Sequence, residues 1–374
     1  MKRILSVFGT RPEAIKMAPL ILAFNSCKEI HSEVCITSQH KEMLETVLIN
    51  FNIKPDHDLK IIKPNQNLND ITSSVISGLS EIITRDKYDL IFVHGDTSST
   101  LASALAAFQS RIPVAHVEAG LRTGNIFSPW PEEMNRVLTD NLSTLYFPPT
   151  EKASENLKRE GKSLEKICVT GNTVIDALFH AQKILEENVQ LKNKISDKFK
   201  FLEDSKKIIL VTGHRRESFG KGFENICNAL FEISRRKDVQ IIYPVHLNPN
   251  VQEPVKRILS SVGNIKLLKP QEYFDFVFLM NKSYLIITDS GGIQEEAPSL
   301  GKPVLLLRDT TERPEAVKAG TVKMVGTNKK EIVRNTNLLL DDERHYAEMS
   351  NRSNPYGDGK ASERIINFIL SKYY

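Results

Sequence analysis

The sequence predicts an α/β protein made of two Rossmann-like domains facing a central crevice, and three observations carry that prediction. Short apolar runs alternate with segments of helical period from one end of the chain to the other, the pattern of doubly wound α/β structure. The series of runs starts twice, with the charged stretch 185–206, LEENVQLKNKISDKFKFLEDSK, as the covering between the halves. Residues of chemical interest directly follow the runs, at the carboxyl ends of strands, where open α/β sheets bind ligands. A chain of 374 residues suits two cores rather than one. The expected domains are 1–180 and 181–360, with the amphipathic segment 361–374 free to pack back on the first.

In the first half the expected strands are RILSVFG, EVCITS, DLIFVHGD, IPVAHVEAG, TLYFPPT and KICVTG. Each is an apolar run bounded by turn residues or charges. Between them the segments 11–23, 41–50, 70–84, 97–109 and 150–160 carry helical spacing, for example Ala14, Met17, Ala18, Ile21 and Leu22. In the second half KIILVTGH, QIIYPVH, NIKLLKP, YLIITDS, PVLLLRD and TVKMVG are the strands, again separated by helices. Neither a repeat nor a low-complexity tract interrupts the series.

Composition narrows the function. Fifty basic and 46 acidic side chains leave a formal charge of +4, too balanced for bulk attraction to nucleic acid or an anionic membrane. The small excess fits an anionic small ligand. Four cysteines without a C-x-x-C pair read as reduced core thiols of a cytoplasmic protein. The first apolar run turns at Gly9, too early for a signal peptide, and no stretch is long enough to span a membrane.

The stretch TDSGGIQEEAPSLGKPVLLLRDTTERPE, 288–315, links two apolar runs and is expected to contain a crossover helix headed by Gly291 and Gly292. Glycines there admit a ligand close to the backbone, and free N–H groups at a helix start suit a phosphate. The two following acids would repel phosphate alone. A nucleotide reconciles them, with phosphate on Ser290, Gly291 and Gly292 and a ribose diol on one carboxylate a turn further in. Arg11 and Lys16 flank the first helix start and are candidates for phosphate or sugar contact, although solvated charges on a capped helix would look the same. Asp96 follows a strand and would serve equally as an N-cap. Glu118 and Glu132 add two more carboxylates near the same strand ends, which together point to acid/base work. His214, trailed by Arg215 and Arg216, suits a diphosphate clamp. His94 and His246 could simply satisfy loop backbone groups. Asp56-His57-Asp58 spells D-x-D but lies between Pro55 and an apolar run, so it reads as turn chemistry and not a metal site. Without zinc spacing or a Walker motif, a reaction free of metal and cofactor is the simplest expectation.

The stretches FGTRPEAIKMAP, VHGDT, HVEAGLRT, SPWPEEMNR, TGNTVIDAL, GHRRESFG, YPVHLNPNV and TDSGGIQEEAPSLGKPVL resemble, in this order, the bacterial non-hydrolysing UDP-N-acetylglucosamine 2-epimerases. The resemblance covers nearly the whole chain. It implies a two-domain fold of glycosyltransferase-B type, a homodimer, and interconversion of UDP-N-acetylglucosamine (UDP-GlcNAc) with UDP-N-acetylmannosamine (UDP-ManNAc) for surface polysaccharide synthesis. By matching motif, Arg11, Lys16, Asp96, Glu118, Glu132, His214, Gln271, Phe276, Ser290, Gly291, Gly292, Glu296 and Arg313 would line the nucleotide-sugar site. Ribose would sit on Glu296 and uracil near Gln271 and Phe276. Some family members bind a second, activating UDP-GlcNAc near the residues matching Gln39 and His40; the later turn here reads KPNQN, without the arginine of some relatives.

The family chemistry is anti elimination of UDP to 2-acetamidoglucal, protonation on the opposite face of C2, and return of UDP. Asp96, Glu118 and Glu132 are expected to supply acid and base, with His214, Arg215 and the glycine-headed helix stabilising the departing diphosphate. A hydrolysing epimerase would instead release free N-acetylmannosamine and UDP. A transferase would need an acceptor, and a binding regulator would leave the substrate unchanged.

Overall fold

The computed structural model describes residues 1–38, 41–63 and 66–373, and of residues 41–43 and 373 the backbone alone. The chain divides into two compact units, Met1–His180 with Tyr356–Tyr374, and Ala181–Pro355.

Unit 1 is built on strands β1 (Lys2–Phe8), β2 (Ile30–Ile36), β3 (His57–Asp58), β4 (Leu90–His94), β5 (Val114–Val117) and β6 (Leu145–Phe147). They form one parallel sheet of order β3-β2-β1-β4-β5-β6. Strand order reverses between β1 and β4, the switch point where loops diverge and leave space for a ligand. Helices α1 (Arg11–Asn25), α2 (Lys41–Asn50), α3 (Leu68–Arg85), α4 (Ser98–Gln109), α5 (Glu132–Leu142), α6 (Glu151–Arg159) and α7 (Thr173–Glu187) follow or connect the strands. Leu5, Val7, Ile91, Val93 and Val114 of the sheet pack with Leu79, Ile82, Ala104 and Ala107 of α3 and α4. The aromatic series Phe24, Phe92 and Phe147 has centroids 5.0 and 6.0 Å apart. Each such buried ring contributes about 1.5–3 kcal/mol.

Unit 2 opens with the last turns of α7, followed by α8 (Val189–Lys198), and carries β7 (Lys207–Thr212), β8 (Val239–Pro244), β9 (Ile265–Leu268), β10 (Leu285–Thr288), β11 (Val304–Leu306) and β12 (Val322–Met324). Their parallel order is β12-β11-β10-β7-β8-β9, the same winding, with its switch point between β7 and β10. The helices are α9 (Lys221–Ile233), α10 (Pro249–Leu259), α11 (Tyr273–Lys282), α12 (Gly291–Glu296), α13 (Pro314–Ala319), α14 (Lys329–Asp341) and α15 (Glu343–Ser350). Ile209, Val211, Ile241 and Ile287 of the sheet pack with Phe223, Ile226, Leu230 and Val255 of α9 and α10.

The last helix, α16 (Ala361–Tyr373), returns to unit 1. Asp176 of α7 accepts the N–H groups of Ala361 and Ser362 at 3.1 and 2.8 Å, and Phe368 meets Phe147 edge-on at 5.8 Å. Among the described residues, no helix is long and apolar enough to cross a membrane.

Two strand expectations need correction. KICVTG forms no strand: Leu164–Lys166 is a 3-10 turn and Ile167 makes only an isolated bridge to Tyr146. Strand β6 is three residues long and runs into Pro148, so it offers little ladder to pair with. Conversely His57 and Asp58, expected in a turn, pair with Cys35 and Ile36 as an edge strand. Asp56 accepts the Val34 N–H and Asp58 the Ser38 hydroxyl, so both acids serve local structure.

Candidate functional site

In unit 1 the loops after β1, β4 and β5 converge on buried charge. Glu118 follows β5 with φ of +66°, a left-handed conformation costly for a residue with a Cβ and found preferentially at functional sites. Its carboxylate pairs with Lys16 of α1, accepts from Asn172 at 3.0 Å, and has Arg136 at 3.5 Å. Burial would push the Glu118 carboxyl up, but the charges of Lys16 and Arg136 and the Lys16 hydrogen bond hold it well below the ordinary range. Arg136 of α5 also donates to the Glu118 carbonyl at 2.7 Å and pairs with Asp96, whose own carbonyl accepts from Asn135 at 2.9 Å. One buried guanidinium thus bridges two of the three expected acid/base carboxylates. The third, Glu132, opens α5 one turn before Arg136, and its Oε2 is buried with no hydrogen-bond partner among the described residues. His94, at the end of β4, lies 3.8 Å from Glu118. Burial and the nearby cations lower it to about 3, despite Glu118, so its ring is neutral at neutral pH.

Glu13, in the first turn of α1, ties the β1 and β4 loops together. It accepts from Gly9 and Thr10 N–H at 3.1 and 2.8 Å, and from the hydroxyls of Thr10, Thr97 and Thr100 at 2.7–2.8 Å. Arg11 is the first residue of that helix and is half-buried.

In unit 2 the loops after β7 and β10 meet in the same way. The Asp289 carboxylate accepts the backbone N–H groups of His214 and Arg215 at 2.7 and 2.8 Å and lies 3.3 Å from His214 Nδ1. Burial opposes the Asp289 charge, but these donors outweigh it and keep its carboxyl below the ordinary range. His214 stacks on His246 with ring centroids 5.4 Å apart. Helix α12 starts at Gly291, where an added Cβ would come within 2.7 Å of Arg313 Nη1. The Arg313 guanidinium therefore lies against the helix start, where a side chain in place of Gly291 would displace it, and Arg313 Nε pairs with Glu295 at 2.6 Å. So the two adjacent acids divide: Glu295 is buried against Arg313, while Glu296 lies beside Tyr273, helping burial raise that phenol well above its ordinary value. Tyr273 heads α11, which also carries half-buried Phe276; Gln271 precedes it and donates to Lys269 O.

The structure thus brings Lys16, Asp96 and Glu118 together in unit 1, with Glu132 one turn away. In unit 2 it groups His214 and Arg215 on Asp289, and Ser290, Gly291 and Gly292 with Arg313. Gln39 and His40 lie outside the described residues. The sequence reading missed Glu13, Asn135, Arg136, Asn172 and Asp289; the spacing of Arg136 one turn after Glu132 puts both on one face of α5, but only the packing shows that this face turns inward.

Two doubly wound units of identical strand order, each with polar groups at its switch point, define an α/β protein of the glycosyltransferase-B type. A family model described as UDP-N-acetylglucosamine 2-epimerase matches residues 23–370. The chain is 57% identical over 368 residues to the UDP-N-acetylglucosamine 2-epimerase of Escherichia coli strain K12, covering 98% of each. It is similar to a solved UDP-GlcNAc 2-epimerase of Neisseria meningitidis bound to UDP-GlcNAc, at 52% identity and TM-score 0.91, over 99% of this chain and 100% of that one. An S. aureus protein solved with UDP matches at 49% identity and TM-score 0.86, over 100% of this chain and 97% of that one. The chain belongs to the UDP-N-acetylglucosamine 2-epimerase family.

Proposed function

We propose that the protein is a non-hydrolysing UDP-GlcNAc 2-epimerase, an isomerase that interconverts UDP-GlcNAc and UDP-ManNAc. The Neisseria relative's bound UDP-GlcNAc supports the substrate, and the observation that carries the chemistry is Arg136 bridging Asp96 and Glu118. We further assign domain roles along the two units: unit 1 carries the acid/base groups and unit 2 the nucleotide-binding groups.

The C2 proton of the sugar has no ring carbonyl to acidify it, so its removal must be coupled to departure of UDP. In the first half-reaction a carboxylate takes the C2 proton, the C1–O bond breaks toward UDP, and a C1=C2 double bond forms. In the second, a proton reaches the opposite face of C2 and a UDP oxygen rebonds C1. Nothing is gained or lost overall. The three carboxylates are not equivalent for this work. Glu118, held ionised by Lys16 and Arg136, is a poor proton carrier and suits stabilisation of positive charge developing at C1. Asp96, which keeps about a quarter of its side chain exposed, and Glu132, with its unpartnered oxygen, are the groups assigned to move protons on the two faces. His214, held by Asp289, with Arg215, Arg313 and the Ser290–Gly292 amides, would take the charge of the departing diphosphate. Arg11 is assigned to the same anionic substrate. Glu296 would hold ribose, and Gln271 and Phe276 the uracil.

This reading places the enzyme in the cytoplasm as a homodimer, supplying UDP-ManNAc for surface polysaccharide. Incubation with UDP-GlcNAc alone tests it. A mixture of UDP-GlcNAc and UDP-ManNAc is expected, whereas free N-acetylmannosamine with UDP would indicate hydrolysis, and unchanged substrate would refute catalysis.

A further inference from the structure

Behind the carboxylates of unit 1 lies a pair of side chains with no place in the chemistry above. His116, in β5, and Asp140, in the last turn of α5, are both fully buried. His116 Nδ1 lies 2.7 Å from Asp140 Oδ1, and its Nε2 lies 2.8 Å from the carbonyl oxygen of Gly95. A carbonyl only accepts. Asp140 Oδ2 already receives the Gly120 N–H at 3.1 Å and the Arg122 guanidinium at 2.6 Å. Burial opposes its charge, but His116 and Arg122 hold the Asp140 carboxyl below the ordinary range. The carboxylate therefore accepts as well. An imidazole between two acceptors must donate from both ring nitrogens, and only the imidazolium carries both protons.

We propose that His116 donates from both ring nitrogens, as an imidazolium paired with Asp140, and so positions the Asp96 and Glu118 loops for their work on the sugar. The connections are short. Gly95, whose carbonyl His116 holds, immediately precedes Asp96; Gly120, whose N–H Asp140 holds, lies two residues after Glu118. Helix α5 contributes both Arg136, which grips the two carboxylates, and Asp140, one turn on, which grips the backbone beneath them. The remaining charged or titratable groups facing the pair are Arg122 with its partner Glu160, Arg136, His94 and the Tyr146 phenol. Of these only Arg122 touches Asp140, on the oxygen away from His116. A neutral His116 would face one of its two acceptors with a lone pair, and the loop on that side would shift. Misplacement of reacting groups by about 1 Å can cost about 100-fold in rate.

His116 and Asp140 are positioning residues, and their assignment rests on the reading that Asp96 and Glu118 act on the sugar. Two measurements test it on the full chain. In protein labelled with 15N-histidine, with His116 assigned by the signal lost in His116→Gln, both ring nitrogens should resonate as protonated. A neutral tautomer at the pH of the kinetic assay overturns the proposal. Separately, Asp140→Asn keeps the shape but removes the counter-charge. It should lower kcat by about tenfold to 100-fold, with KM and UDP affinity nearly unchanged, because the nucleotide groups lie in unit 2. Wild-type kcat per folded molecule, with only a lower unfolding temperature, would make the pair structural and overturn it. If Asp140→Asn does not fold, the nitrogen resonances decide alone. If the wild-type protein fails to epimerise UDP-GlcNAc, the functional reading falls while the resonances still decide the charge.

Discussion

Arg136→Lys probes the feature on which the chemistry of unit 1 depends. The native guanidinium is buried and uses its fork three ways: one nitrogen on Asp96, the other donating to the Glu118 carbonyl at 2.7 Å and lying 3.5 Å from its carboxylate. Lysine keeps the charge but is a single point donor and cannot span both loops. A charge-assisted hydrogen bond contributes about 1.5–3 kcal/mol. If lysine retains one partner and loses the other, about that much positioning energy is lost. At 1.36 kcal/mol per tenfold this is a fall in kcat of about 10-fold to 150-fold. Because the groups affected act on the sugar carbons and not on the nucleotide, KM should change by less than about threefold. The assay is initial-rate kinetics of UDP-ManNAc formation, with the unfolding transition followed in parallel. A variant that folds and turns over at close to the wild-type rate would refute the argument that the bridge organises Asp96 and Glu118 for the reaction.

Further outcomes follow from other parts of the structure. Glu296→Ala should raise KM more than it lowers kcat, because a ribose contact is present in ground and transition states alike; a large loss of turnover at unchanged KM would contradict it. His214→Ala should lower turnover strongly with little change in thermal unfolding, since its ring is about two-fifths exposed; the opposite pattern would make the residue structural. Glu33 accepts from Arg3, Tyr88 and His57, which overcome burial and lower its carboxyl to about 2. Its folded value lies below the ordinary one, so its stabilisation is complete above about pH 4.5 and disappears as pH falls toward about 2. Glu33→Gln should therefore cost about 1–3 kcal/mol at neutral pH, allowing for solvent screening, and the gap to wild type should close through that acid window. Chemical denaturation at several pH values measures it, and a gap independent of pH would show that the ion pairs contribute nothing.

The alternation of apolar runs made the fold legible because, among the described residues, every strand but β3 lies in one of the apolar runs bounded by turns. The exception, β3, is two polar residues whose pairing depends on the neighbouring β2 and not on their own composition. KICVTG failed for the converse reason, an apolar run with too short a partner. Residues that interrupt a pattern were readable as site candidates: Asp96, Glu118 and His214 stand where a strand ends and a charge is unexpected. Arg136, Asp140 and Glu13 were not, because charged residues within helices read as solvated faces until the packing shows which turn points inward. Burial also reassigned the adjacent acids after Gly292. The sequence shows two equivalent glutamates, whereas the helix turns Glu295 into Arg313 and leaves Glu296 beside Tyr273.

The central claim is that a proton leaves C2 with UDP and a different proton returns to the other face. In deuterated water the claim predicts UDP-ManNAc carrying deuterium at C2, because the returning proton comes from a carboxyl that exchanges with solvent. Asp96→Asn should slow that incorporation by about 10² to 10⁴, the range for loss of a general acid or base, with UDP still bound. Mass spectrometry of the recovered nucleotide sugar provides the readout. Epimer formed without deuterium at C2 would contradict elimination and readdition, and normal exchange in Asp96→Asn would remove Asp96 from the groups that carry the proton.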